Sequence, residues 1–269
     1  MNKTAIRFLT PVLLVVSGCQ IQKDKQESNE SLKPNILMIV VDDLGYNDLH
    51  CYGGGIQETP NVDSLAAGGI QFTNAYASCP VCSPTRASLL TGKNPVAVNI
   101  TDWIPGHQEG KIKPWHKFIV PTFNWHLPLD EITIAEKLKQ EGYTTASIGK
   151  WHLGGEGYLP TEQGFDLNIA GNHKGMPPTY YYPYKADSAE IAKKPWLDFE
   201  ITPLELTGDS LYLTDRLTNE AIEYIHNQKD TSFFLYLPYY TVHTPLEGRE
   251  DLVKKYSQKV EQSNDSVVR

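Results

Sequence analysis

The chain has 269 residues, 40% of them hydrophobic and 21% charged, a globular composition long enough for one substantial core or two small ones. A net charge of −8 with no basic block speaks against nucleic acid as a partner. The same balance gives no long-range steering of a polyanion, so an anionic substrate would have to be held by local cations.

Lys3 and Arg7 form a positive n-region ahead of the apolar run 8–16, which is too short to span a bilayer as a stop-transfer helix. The run ends in Val16-Ser17-Gly18-Cys19, small residues before a cysteine, which resembles the lipobox of bacterial lipoproteins. On that resemblance residues 1–19 are a lipoprotein signal peptide and Cys19 is lipidated. The chain is then exported to the periplasm, outer membrane or cell surface and meets the membrane through its lipid anchor. An ordinary signal peptide is the plainer alternative. Residues 20–33 are polar, bury too little to fold, and read as a tether. Of the four cysteines, Cys19, Cys51, Cys79 and Cys82, three remain if Cys19 is lipidated, so at least one is unpaired.

The fold is expected to begin with the continuous apolar run 35–41, a strand buried on both faces as in a parallel sheet. Asp42-Asp43-Leu44-Gly45 follows it. Thr59 and Pro60 open a short helix that ends at glycine, and residues 70–76 read as a short strand. Ser83 is the predicted cap of a helix starting at Pro84, which puts Cys82 just before a helix N-terminus, where free N–H groups and the dipole favour an anion. Arg86, one turn in, adds a forked donor set. Cys79-Pro80-Val81-Cys82 also has redox-pair spacing, but that reading leaves the acidic pair and the histidine clusters unexplained.

Further along, residues 130–140 are a predicted helix and 143–148 a strand. Leu213, Leu217, Ala221 and Ile225 mark another helix, and 232–237 a further buried strand. Helix followed by strand, twice, predicts an α/β fold with a mostly parallel central sheet flanked by helices. Asp42-Asp43, Lys150-His152 and His243 all follow strands, where ligands bind in open α/β sheets, so they can converge. The stretches 104–128 and 171–195 read as irregular insertions rich in Trp, His and Tyr, able to pack on sugar rings or merely to anchor the loops.

Cys82-Ser83-Pro84-Thr85-Arg86, running on through Thr91-Gly92, and Gly149-Lys150-Trp151-His152-Leu153-Gly154 are similar to two signatures of the formylglycine-dependent (type I) sulfatases. Residues 35–45, 59–76 and His243-Thr244-Pro245 resemble the same arylsulfatase-like family, whose fold is that of the alkaline phosphatase superfamily. The resemblance implies a sulfuric ester hydrolase acting on a sulfated carbohydrate or aryl sulfate. A maturation enzyme would convert Cys82 to formylglycine, and one Ca2+ would be held by Asp42, Asp43 and the modified Cys82. Arg86 and Lys150 would neutralise charge, His243 would protonate the leaving oxygen, and His152 would act as base. Family members are usually longer, with further metal ligands and a second lysine on a later strand. Nothing in residues 244–269 matches these, so 34–269 reads as an incomplete N-terminal catalytic domain, truncated at the C-terminus. A related phosphatase or phosphodiesterase, or an inactive lipoprotein that binds sulfated glycan, are the alternatives.

Overall fold

The computed structural model describes residues 33–107, 114–115, 117–199, 201 and 211–263. The signal peptide, Cys19 and nearly all of the tether lie outside the described residues.

Among the described residues four strands build one sheet: β1 (Ile36–Val41), β2 (Thr144–Ile148), β3 (Leu167–Ile169) and β4 (Phe233–Tyr239). Their order is β1-β4-β2-β3 and all three pairings are parallel, as the helix–strand alternation predicts. The helices are α1 (Pro60–Gly68), α2 (Cys82–Thr91), α3 (Pro95–Val98), α4 (Ile134–Gln140), α5 (Ser188–Lys193), α6 (Leu213–Asn227) and α7 (Glu250–Gln262).

Side chains alternate across β4 and divide the core in two. Phe234 and Tyr236 point to a cluster that contains Ala87 and Leu90 of α2, Ala135 of α4, and Trp151 and Phe165. Phe233, Leu235 and Leu237 point the other way, to Leu213, Leu217 and Ala221 of α6 and to Tyr180 and Tyr240. The result is a three-layer α/β arrangement, helix on sheet on helix.

Three expectations are corrected. The apolar run of β1 is not buried on both faces. β1 lies at the sheet's edge; Ile36, Met38 and Val40 pack on the core while Leu37 and Ile39 are exposed. A continuous apolar run therefore marks an edge strand here, and the central position belongs to β4. Residues 70–76 form no strand, and Ile70, Phe72 and Tyr76 are exposed. Their strand-like composition finds no partner, because strand propensity is realised only through tertiary pairing. Finally, α2 starts at Cys82 with Val81 as its cap residue, so Ser83 lies inside the helix and does not cap it.

Candidate active site

The loops after β1, β2 and β4 are stitched together by their backbones. Asp42 N–H donates to the Thr241 carbonyl (2.9 Å) and Val242 N–H to the Asp42 carbonyl (2.7 Å). Lys150 N–H donates to the Pro238 carbonyl (2.8 Å). Asp42, Lys150, His152 and His243, far apart in sequence, are thus carried by adjacent strand ends. Gly149 makes this possible: its φ is +128°, and a Cβ there would sit 2.0 Å from the Pro238 oxygen. Only glycine tolerates both the conformation and the approach.

Helix α2 is docked on the same edge by buried polar contacts. Arg86 Nη1 donates to the Lys150 carbonyl (2.6 Å), and Ser83 Oγ donates to the His152 carbonyl (2.9 Å). Ser83 Oγ in turn accepts from Ile104 N–H (3.1 Å), which ties the 104–128 insertion to the helix start. Released from capping, the serine hydroxyl couples helix, strand loop and insertion.

At the centre lies a buried charge cluster. Lys150 Nζ contacts Asp42 Oδ2, and Arg86 Nη2 stands 3.3 Å from Asp42 Oδ1. Lys150 and Arg86 are essentially inaccessible to solvent. Burial alone would raise the Asp42 carboxyl, but the charges of Arg86 and Lys150 outweigh it and hold the carboxyl below its ordinary range. Lys150 is shifted down, by burial first and by Arg86 second, with Asp42 opposing. Two cations around one carboxylate leave the cluster with room for an anion.

Cys82 occupies the first helical position of α2 beside this cluster. Burial raises its thiol above the ordinary value, against the pull of Lys150. The encoded thiol therefore stays protonated and is a weak nucleophile at neutral pH. Cys51, Cys79 and Cys82 carry free thiols, so no bond joins Cys79 to Cys82. Thr85 Oγ1 donates to the Cys79 carbonyl (2.7 Å) and fixes the turn between them.

His152 is buried, with a φ of +58°. Its Nε2 meets the Ile104 carbonyl, and a neutral ring with its proton there leaves Nδ1 as a lone pair; Nδ1 is buried without a hydrogen-bond partner. Burial first, then the charge of Lys150, pushes the ring pKa down to about 3. Gly175 lies flat against the ring: a Cβ there would be 2.3 Å from His152 Cε1. His243 is partly exposed, its Nε2 3.8 Å from Asp43 Oδ2 and its Nδ1 2.9 Å from the Thr244 carbonyl oxygen.

Asp43, Cys82, His152 and His243 line one cavity of about 1010 Å3. All seven residues expected at the site thus fall into one region: Asp43, Cys82, His152 and His243 line the cavity, and the charges of Asp42, Arg86 and Lys150 act on Cys82 and His152. Composition and motif did not single out Trp103, Trp196, Phe199 and Met176, which also line it. They flank or fall in the two insertions, and three tryptophans within reach of the insertion boundaries were the available signal. The Tyr180-Tyr181-Tyr182 run is largely structural. Buried Tyr180 donates to the Tyr240 carbonyl (2.7 Å) and the His243 carbonyl (2.8 Å), and so braces the loop that carries His243. Among the described residues no three His, Cys, Asp or Glu side chains form a ready metal cluster.

Comparison with known proteins agrees with this geometry. The sulfatase family model matches residues 34–268. The chain is 32% identical to N-acetylgalactosamine-6-O-sulfatase of Bacteroides thetaiotaomicron over 91% of its own length and 55% of that protein. It is 47% identical to human arylsulfatase A over 149 residues, 54% of this chain and 27% of the relative. The crystal structure of Ps i-CgsB in complex with k-i-k-neocarrahexaose superimposes with a TM-score of 0.62 at 31% identity, covering 84% of this chain and 49% of the other. The chain thus spans between about a quarter and about half of the relatives it matches.

Proposed function

We propose, from the premise that this chain belongs to the sulfatase family, that it hydrolyses sulfate esters, with sulfated carbohydrate as the substrate class. The observation that carries the reading is the meeting of Cys82, at the start of α2, with Arg86, Lys150 and the two histidines at one cavity. Relatives named for sulfated sugars support the carbohydrate assignment. We extend the reading to export as a lipoprotein anchored through Cys19.

Cys82 is the residue a maturation enzyme would oxidise to formylglycine. The protonated thiol supports this, because the side chain as encoded is not a ready nucleophile. The modified residue would supply an aldehyde hydrate as the attacking oxygen. Asp42 and Asp43 are the carboxylates that would hold a calcium ion. Their carboxylate oxygens are the donor type a hard cation prefers, and Lys150 and Arg86, which now rest against the two Asp42 oxygens, would have to yield that carboxylate to the ion. Such an ion would supply Lewis-acid polarisation of the ester oxygens. The chain's own side chains do the rest. Arg86 and Lys150 balance negative charge on the sulfate, at the positive end of a helix. Neutral His152, its Nε2–H given to Ile104, presents Nδ1 as a proton acceptor. His243, facing the cavity and within reach of Asp43, donates a proton to the departing alcohol.

Peptide mass spectrometry across Cys82, on protein from a maturation-competent host, tests the reading. Formylglycine is expected, together with loss of sulfate release in Cys82→Ala. An intact thiol, or turnover retained by the variant, would overturn it.

A further inference from the structure

The loop that carries His243 is held by hydrogen bonds and hardly by burial. Between Thr241 and Gly248, Val242 is 48% and Leu246 86% exposed, so apolar contact does little to fix the stretch. Its carbonyls are instead gripped by phenols from the second insertion and from the start of α6. Tyr180 Oη donates to the Tyr240 carbonyl (2.7 Å) and the His243 carbonyl (2.8 Å), one hydroxyl proton shared between two acceptors. Tyr181 Oη donates to the Gly248 carbonyl (2.7 Å), and Tyr212 Oη to the Glu247 carbonyl (2.6 Å).

The grip is reciprocal. Glu247 Oε2 accepts from the Tyr180 N–H (2.7 Å) and from Thr179 Oγ1 (2.7 Å), so the loop fixes the backbone of the residue whose side chain fixes the loop. The Tyr180 ring is buried and stacks on Tyr212, centroids 5.4 Å apart, and Leu213 N–H donates to the Tyr180 carbonyl (2.8 Å). Tyr180 is thus a post set between α6 and the His243 loop. On that loop the Thr244 carbonyl, 2.9 Å from His243 Nδ1, can only accept, so Nδ1 carries a proton there. Nε2 is then the nitrogen left for the cavity, on the side of Asp43.

We propose that Tyr180 is a positioning residue for His243: its hydroxyl, set by Glu247 and Tyr212, fixes the loop so that His243 Nε2 meets the departing oxygen of the ester. The proposal rests on the sulfate-ester reading for the proton transfer, and on geometry alone for the hold on the loop. As sulfur passes to the attacking oxygen, the bond between sulfur and the ester oxygen breaks. Its electron pair stays on the ester oxygen, which takes the Nε2 proton of His243. A misplacement of about 1 Å in such a donor can cost about a hundredfold in rate.

Tyr180→Phe keeps the buried ring and removes only the hydroxyl. Phenyl sulfate and 4-nitrophenyl sulfate are the probes, because nitrophenolate departs readily without a proton and phenolate does not. In mature protein from a maturation-competent host, Tyr180→Phe is expected to lower kcat on phenyl sulfate about ten- to a hundredfold, with KM within about twofold. On 4-nitrophenyl sulfate the loss should stay below about threefold. Tyr181→Phe, which gives up a like bond to the same loop at Gly248, should leave both rates within about twofold of wild type. Added to His243→Ala, Tyr180→Phe should cost no more than about twofold further, because its effect runs through that ring. Equal losses on the two esters, losses that multiply in the double variant, or an unchanged rate on phenyl sulfate overturn the proposal. Amide hydrogen exchange separates the two readings. The His243 N–H, bonded to the same Tyr240 carbonyl (3.1 Å), should exchange at least about tenfold faster in Tyr180→Phe. If the wild type cleaves neither ester but this exchange rises in the variant, the sulfate-ester reading fails and the hold on His243 stands. If the exchange is unchanged, the hold fails whatever the esters show.

Discussion

His152 is a titratable group kept from titrating. Burial and the neighbouring Lys150 charge push its pKa down to about 3, whereas the unfolded ring takes a proton near 6.5. As pH falls through 6.5 the unfolded chain binds this proton and the folded chain does not. Stability contributed by the neutral ring is therefore full above pH 6.5, falls between 6.5 and about 3, and does not change above 6.5. The limiting slope is about 1.4 kcal/mol per pH unit. His152→Gln, which can still donate to the Ile104 carbonyl, should flatten the dependence of the urea midpoint on pH between 4.5 and 6.5. An acid slope identical to wild type would refute the assignment. Asp42, held below the ordinary carboxylate range, gives up its share only at lower pH, while His173, also shifted down by burial and then by Lys174, adds a slope of the same sign that His152→Gln leaves in place. The identities of these residues were legible in the sequence: motif and spacing marked Asp42, Arg86, Lys150 and His152 correctly as neighbours. Their pairing was not. That Asp42 lies between two buried cations, and that Ile104 from an insertion fixes the His152 tautomer, depends on side-chain approach that no local pattern encodes.

The elements carry the site through their ends. Helix α2 begins at Cys82, not Pro84, because the Ser83 hydroxyl is used up by the His152 carbonyl and the Ile104 N–H. A cap rule reads only local competition for backbone groups, and here a partner 69 residues away wins. Helices α4 and α6 were readable from periodicity, and α4 has the capping box that local chemistry favours, Thr133 with Glu136. Strand β3, three residues long, gave no periodic signal of its own. At the end of β2, Gly149 combines a φ of +128° with a 2.0 Å approach of a would-be Cβ to the Pro238 oxygen. Gly149→Ala must push β2 away from β4 and carry Lys150 with it, since the Lys150 N–H bonds to that same carbonyl. We expect a loss of stability of several kcal/mol, at the upper end of single substitutions, together with loss of sulfate release. Gly157→Ala, also at positive φ but with nothing within 4 Å, serves as the control and should cost about 1 kcal/mol. Similar melting temperatures for the two variants would show that the contact with Pro238 is not a constraint.

Across the molecule, the parallel α/β class followed from the order of helices and strands, but strand placement in the sheet did not. The most apolar run, β1, proved to be an edge, because a contiguous apolar run cannot distinguish a strand covered on both faces from one covered on a single face. Among the described residues β1 pairs with β4 on one side, and its Leu37 and Ile39 side chains are 45% and 50% exposed. Such an edge, with exposed apolar side chains, is a template for pairing with a second chain. Lysine on the exposed face is the usual protection, and neither position has one. Leu37→Lys combined with Ile39→Thr should therefore lower self-association in sedimentation velocity and raise the concentration at which the protein stays monodisperse. Both side chains lie outside the two core clusters, so each change should leave stability within about 0.5 kcal/mol of wild type. Ile36, Met38 and Val40 pack against the core on the opposite face, and Met38→Thr as a contrast should destabilise. If the outward pair destabilises as much as Met38→Thr, then that face is packed, and the exposed edge is not what drives association.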